Sequence, residues 1–183
     1  MGFENGAIIK FNLQSGIVRE ESKDIHFHDG PVTGIRTDPL NKLVITTGMD
    51  GKVKIWDFFR LGLMRTIEID DSAALYNLTM DSVNLFAFTT SSLNLFVYDA
   101  LTLKCIRRFD NIATNAITSV CFSFDSKWVI TASMDKSLKV WDLLTASLVD
   151  WVQFCNIPMS VAFSPTGEYL ATTHVDKKGN PIN

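Results

Sequence analysis

The chain has 183 residues, 46% of them hydrophobic, which is enough for one ordinary domain with a core of its own. Its net charge of -3 argues against a surface that grips a phosphate backbone unaided, because such domains are usually basic. No apolar run reaches the roughly eighteen residues of a spanning helix, and the opening MGFENGAIIK lacks the charged and apolar regions of a signal peptide.

Residues 5–20, NGAIIKFNLQSGIVRE, predict two strands joined by Gln14-Ser15-Gly16, with Asn5-Gly6 as a tight hairpin signal. A polar segment from Glu21 follows and ends in His26-Phe27-His28-Asp29-Gly30. Four strands are then predicted at 31–37, 42–47, 52–57 and 63–69, with Met49-Asp50-Gly51 turning between the second and third. A second set falls at 74–80, 85–89, 93–99 and 104–109; here Ser91-Ser92 replaces the acidic turn and Tyr98-Asp99 replaces Trp56-Asp57. A third set falls at 116–123, 128–133, 137–142 and 147–154, with Asp135-Lys136 in the turn and Trp141-Asp142 at the close. A last pair lies at 158–164 and 168–173. Within Ser137 to Val140 the alternation of polar and apolar residues predicts Ser137 and Lys139 outward, Leu138 and Val140 inward.

Two stretches are near copies: TTGMDGKVKIWD at Thr46 to Asp57 and TASMDKSLKVWD at Thr131 to Asp142. Phe11 takes the place of Trp56 and Trp141, and the steps from Phe11 to Trp56, Tyr98 and Trp141 are 45, 42 and 43 residues. Four short strands per ~40–45 residues is the propeller period. The expected fold is therefore all-β, a partial β-propeller of four-stranded antiparallel blades. The blades are placed at 5–20 (partial), 31–69, 74–109, 116–154 and 158–183 (partial).

In both copies the Trp stands six residues after Asp50 or Asp135, and these stretches resemble the blades of WD-repeat β-propellers. The ordered series FNLQSG, VITTGMDGKVKIWD, SFDSKWVITASMDKSLKVWDLLTASLVD and SVAFSPTGEYLATTHVD is similar, over residues 5–176, to the end of the second propeller in a WD-repeat family of the UTP-B group of the small-subunit processome. The resemblance implies a non-catalytic scaffold in the nucleus and nucleolus that supports small-subunit ribosomal RNA processing and ribosome biogenesis. It implies other UTP-B and processome proteins as partners, and leaves room for pre-ribosomal or small nucleolar RNA within the assembly. No cofactor, metal, membrane or small-molecule substrate is expected. The alternative is a generic WD-repeat interaction adaptor, for example a ubiquitin-ligase substrate receptor. Such receptors often carry Arg two places after Trp-Asp, where this chain has Phe59 and Leu144, with Arg60 one place late. Three whole units and two partial ones do not close a ring of the usual size, so the chain is expected to be part of a larger polypeptide. Alone, it would expose sheet faces and edges.

By the same resemblance, a buried His, Ser or Thr, Asp and Trp hydrogen-bond one another in each full blade. The fullest set here is His28, Thr46, Asp50 and Trp56; Thr131, Asp135 and Trp141 recur without a His, since residues 110–116 contain none. The physics is sound, because a buried indole N–H needs an acceptor and a buried carboxylate needs donors. Nucleophilic catalysis is not expected: the hydroxyl lies on a strand, no nucleophile elbow is present, and a catalytic site has no reason to recur at a fixed period. His26 and His28 beside Asp29 lack the CxxC or HExxH companions of a metal site, and His174 with Asp176 is expected in turn structure. Gly48 and Gly51 are expected to serve a turn, and Ile182 stands at the spacing of the closing Trp of a last blade. Cys105, Cys121 and Cys155 are expected to be buried reduced thiols of an intracellular chain. Lys52, Lys54, Arg60, Arg65, Lys136 and Lys139 are expected on solvated edges; Arg107-Arg108 is a small basic step open to RNA or an acidic partner. Phe58-Phe59 and Trp151 are the better candidates for protein contact.

Overall fold

In the computed structural model, residues 2–21, 27–69 and 73–175 are described, and among them every regular element is a strand. A two-stranded ribbon, β1 (Ile9–Phe11) and β2 (Val18–Glu21), comes first. Ahead of it, Gly6 adopts the left-handed backbone (φ 81°) in a small turn that brings Gly2 opposite Ile8. A four-stranded antiparallel sheet follows: β3 (Val32–Thr37), β4 (Leu43–Gly48), β5 (Lys52–Asp57) and β6 (Leu63–Glu68), in that spatial order. The next sheet has β7 (Leu75–Met80), β8 (Leu85–Thr90), β9 (Leu95–Asp99) and β10 (Cys105–Phe109), and the third has β11 (Ile117–Phe122), β12 (Trp128–Ser133), β13 (Ser137–Asp142) and β14 (Leu148–Gln153). The last pair is β15 (Ile157–Phe163) with β16 (Leu170–Val175). This is an all-β, partial β-propeller of four-stranded meandering blades.

The repeat is visible in the register. Val44 faces Trp56 and Thr46 faces Lys54; Phe86 faces Tyr98 and Phe88 faces Phe96; Val129 faces Trp141 and Thr131 faces Lys139. It is visible in the backbone as well. Gly51, Leu93 and Lys136, each five residues before the Trp or Tyr, all have left-handed φ (73°, 63° and 68°). Only the first is a glycine; in the other two sheets a side chain accepts a conformation that costs roughly 1–2 kcal/mol.

The chain forms two compact units, Met1–Leu78 with Thr90–Ser92, and Thr79–Thr89 with Leu93–Asn183. In the first, Ile8 of the opening ribbon packs with Val44, Trp56 and Leu61. In the second, Ala87, Leu95, Val97 and Phe109 pack face to face with Val120, Phe122, Val129 and Leu143, and on the other side Ile130, Ala132 and Leu138 pack against Val161 of β15. In the third sheet, stacking of sheet face on sheet face buries the middle strands from both sides.

That double burial corrects the alternation expected for 137–140. Ser137 is buried beside Leu138, because its hydroxyl donates to Asp135; the period of two marks which neighbour a residue faces, not whether it meets water. Lys54, expected on a solvated edge, is also buried (6% exposed). The three cysteines are free, but Cys105 and Cys155 are exposed and Cys121 is half-buried. Cys105 opens an outermost strand and Cys155 follows another, so an apolar sequence context did not mean burial for them. Burial pushes the Cys121 thiol up to about 12. His174 lies in strand β16, not in a turn: its Nε2 is hydrogen-bonded to the Thr172 hydroxyl (2.9 Å) and its ring meets Phe154 edge-on. His26, Asp176 and Ile182 lie outside the described residues, as do the side chains of Phe11 and of β2.

Candidate functional site

Two side chains, His28 from the leading loop and Trp56 from β5, converge on Thr46 of β4. Its Oγ1 accepts from Trp56 Nε1 (2.9 Å) and lies 2.8 Å from His28 Nε2. On the far side of the imidazole, Nδ1 lies 2.9 and 3.0 Å from the two carboxylate oxygens of Asp50. Asp50 also accepts the N–H of Asp29 (3.0 Å) and of Lys52 (3.2 Å), so it ties the entry loop to the β4–β5 turn. Burial lowers the His28 pKa below its ordinary 6.5, more than Asp50 raises it, so the ring is neutral near pH 7. One ring proton must then choose a partner, and the carboxylate claims it at Nδ1. Nε2 accepts from the Thr46 hydroxyl, which accepts in turn from the indole. The chain of donors runs Trp56 to Thr46 to His28, with Asp50 closing it from the other end, and every polar group is satisfied.

The charge states give this corner a pH dependence with a defined sign. As pH falls below 6.5 the unfolded chain protonates its His28 while the folded chain resists, so the folded state loses stability. Asp50 acts in the same direction at more acid pH. Burial would raise its carboxyl, but His28 and the Asp29 and Lys52 N–H groups hold it below 3.8, so the stability it contributes is lost as pH falls through its folded value. The urea midpoint is expected to fall steadily on acidification from pH 6.5, and the fall between that point and the carboxylate range should be largely absent in His28→Gln. An unchanged slope in the variant would place the titrating group elsewhere.

In the third sheet Trp141 Nε1 donates to Thr131 Oγ1 (3.0 Å), but Asp135 does not join them. The residue at the place of His28 is Ala113, buried against the sheet. Asp135 is held by Thr114 and Ser137 instead: Thr114 N–H (3.0 Å) and hydroxyl (3.3 Å), Ser137 N–H (2.9 Å) and hydroxyl. Thr114 N–H to Asp135 repeats Asp29 N–H to Asp50, so the backbone tie survives where the histidine does not. In the second sheet an aromatic ring replaces the threonine hydroxyl. Phe88 stands at the place of Thr46, and Phe86, Phe88, Phe96 and Tyr98 form a stack with ring centroids 5.5–6.3 Å apart. The alternating phenylalanines at 86, 88 and 96 were the sequence signal for it.

A second recurring device had no place in the sequence reading. Asp57, Asp99 and Asp142, each following the Trp or Tyr, turn a carboxylate oxygen onto two N–H groups of the loop ahead: Phe59 and Arg60 (2.9 and 2.7 Å), Leu101 and Thr102 (2.7 and 3.3 Å), Leu144 and Thr145 (2.7 Å each). The Asp of each Trp-Asp or Tyr-Asp pair is a loop cap. Local hydrogen bonds hold Asp99 and Asp142 below the usual carboxylate range, with the Leu101 and Thr145 N–H groups foremost.

The basic residues divide by what they touch. Arg107 donates to the carbonyls of Leu143 (2.6 Å), Leu144 (2.9 Å) and Ile106 (2.8 Å), which commits it to the protein rather than to an outside partner. Arg108 pairs with Asp110 (2.7 Å) over the Phe96 ring. Lys139 Nζ donates to Ile112 carbonyl (2.6 Å) and Lys52 reaches Asp29 and Glu68. Burial pulls the Lys54 ammonium below the usual lysine range. Of the basic residues expected on solvated edges, Arg60 and Arg65 are exposed and Lys136 is half-buried. Among the described residues no cluster of three or more metal-ligating side chains occurs. Of the apolar contact candidates, Phe58 is partly buried on the first core and lines, with Ile8, Lys10, Leu13, Ile35 and Leu61, a cavity of about 250 Å³; Phe59 (65%) and Trp151 (56%) are exposed.

Comparison with known proteins shows what the chain as a whole is similar to. A family model described as the WDR36/Utp21 second beta-propeller domain matches residues 1–180. WD repeat-containing protein 36 of Homo sapiens is 35% identical over 179 residues, which is 98% of this chain and 20% of the relative. The U3 small nucleolar RNA-associated protein 21 homolog of Schizosaccharomyces pombe is 33% identical over 181 residues, 98% of this chain and 20% of the relative. U3 small nucleolar RNA-associated protein 21 of Saccharomyces cerevisiae is 36% identical over 188 residues, 98% of this chain and 18% of the relative. The chain thus spans about one fifth of the length of these relatives.

Proposed function

Because the chain belongs to the WDR36/Utp21 second beta-propeller family, we propose that it is a rigid, non-catalytic scaffold element of the small-subunit processome. It acts in the nucleus and nucleolus, supporting small-subunit ribosomal RNA processing and ribosome biogenesis. The observation that carries this reading is the identity of 33% and 36%, over 98% of the chain, to two relatives named for their association with the U3 small nucleolar RNA. On this reading the blades run over 5–20, 31–69, 74–109, 116–154 and 158–183. His28, Thr46, Asp50 and Trp56, and the reduced set Thr131, Asp135 and Trp141, pin blade corners.

The chemistry of that set supports a structural role. Thr46 is fully buried and His28 is 3% exposed, so no substrate reaches the hydroxyl, and its lone pairs and proton are already used within the sheet. Partners are other UTP-B and processome proteins, with pre-ribosomal or small nucleolar RNA met within the assembly. Affinity purification of the full-length protein tests the reading. Recovery of processome proteins together with the U3 RNA is the expected result; cullin-type partners without that RNA would instead favour a ubiquitin-ligase adaptor.

A further inference from the structure

The outermost strand of the third sheet differs from its counterparts. β6 carries Arg65 and Glu68, and β10 carries Arg107 and Arg108, the charged residues with which proteins blunt a free sheet edge. β14 reads LVDWVQ, is exposed at all six residues, and has Asp150 as its one charge. Leu148 (44%), Val149 (53%), Trp151 (56%) and Val152 (44%) are open to solvent. Trp151 does not face the last strand pair. It lies opposite Lys139, whose ammonium reaches Ile112, whereas Leu138 and Val140, opposite Val152 and Asp150, pack toward Val161 of β15. Beyond Asp150 the pairing shifts by one residue, so that Leu148 lies opposite Trp141 and Val149 is the extra residue of a bulge beside Trp151.

The backbone of this edge is also unspent. Phe154 N–H donates to Lys136 carbonyl, so alternate N–H groups from Phe154 back to Asp150 point into the sheet and the Trp151 N–H points out. Among the described residues, the outward Trp151 N–H is met only by the carboxylate of its own neighbour, Asp150 (2.8 Å). We propose that β14 is a docking edge that accepts an extended segment of a partner protein as a fifth strand. That segment would carry apolar residues at alternate positions beside Val149 and Trp151, and a Lys or Arg beside Asp150. Its carbonyl would replace the Asp150 carboxylate on the Trp151 N–H and free that carboxylate for the basic residue. Charge disfavours pairing with the β14 of a second copy, since LVDWVQ offers Asp150 no cation. The docking edge is a property of this sheet and holds independently of the processome assignment.

The test is an array of decapeptides that alternate an aliphatic with a variable residue, probed with the full-length protein. Binding is expected for peptides with a central Lys or Arg, and backbone N-methylation of the bound peptide should abolish it. Val149→Lys with Trp151→Lys should weaken binding at least about tenfold, and Met64→Lys in β6 should not. Asp150→Lys should shift the preference to acidic peptides. These side chains are exposed, so the melting temperature should hold; amide exchange at Trp151, slowed by the bound peptide, reads the same contact in the unmodified protein. No peptide bound, binding indifferent to the β14 substitutions, or a concentration-dependent dimer lost in Trp151→Lys would each overturn the proposal.

Discussion

Trp56→Ala is expected to cost about 3–5 kcal/mol in the first sheet, the largest effect of any single truncation there. The indole is wholly buried among Ile8, Val44 and Leu61, so its removal opens a cavity and also strips the Thr46 hydroxyl of its donor. Trp56→Phe keeps most of the packing and loses the N–H, which should cost about 1–2 kcal/mol. Trp141, at the same place in the third sheet, is only partly buried; it packs on Phe109 at 5.4 Å and feeds a shorter chain that ends at Thr131. Trp141→Ala should therefore cost about half as much as Trp56→Ala. Native-state amide exchange at β4–β5 and at β12–β13 reads each sheet separately, which matters in a chain with two compact units. Equal losses at the two tryptophans would mean that the His28–Asp50 end of the network adds nothing.

How legible this was depends on the scale. Strand positions followed from turn chemistry and a period near 43 residues, because the left-handed turn residues and the Trp or Tyr recur at fixed offsets, and such signals are local. Exposure was not local. Lys54 and Ser137 look like outward positions on a half-buried strand, yet both are buried; in β13 the neighbouring sheets cover both faces, and no count along one strand reveals a second sheet. The cysteines failed in the opposite sense, since Cys105 and Cys155 lie on or beside outermost strands and are exposed. Arg107 looked free for a ligand because its acceptors, the carbonyls of Leu143 and Leu144, lie 36 and 37 residues away and carry no side-chain signature. The members of the hydrogen-bonded set were legible through the family resemblance. What the missing histidine of the third sheet does to its neighbours was not, and that gap bears on Gly48.

Gly48 was read as a turn residue, but it ends strand β4 opposite Val32, beneath the imidazole. A Cβ there would lie 2.5 Å from His28 Nδ1 and 2.5 Å from Asp50 Oδ1. Neither group can give way: His28 is held by Thr46, and Asp50 by the N–H groups of Asp29 and Lys52. Gly48→Ala should therefore break the His28–Asp50 bond and cost about 3 kcal/mol, measured as lost amide protection in β3–β5. The third sheet shows the compensating exchange. Ser133 stands at the place of Gly48 and Ala113 at the place of His28, and the Ser133 hydroxyl donates to the carbonyls of Asn115 (3.0 Å) and Ala116 (3.2 Å). Histidine demands glycine; alanine admits serine. The double variant His28→Ala with Gly48→Ser should then lose less than the sum of its single changes, by more than about 1 kcal/mol. Strict additivity would show that the ring and the strand backbone do not share the space assigned to them.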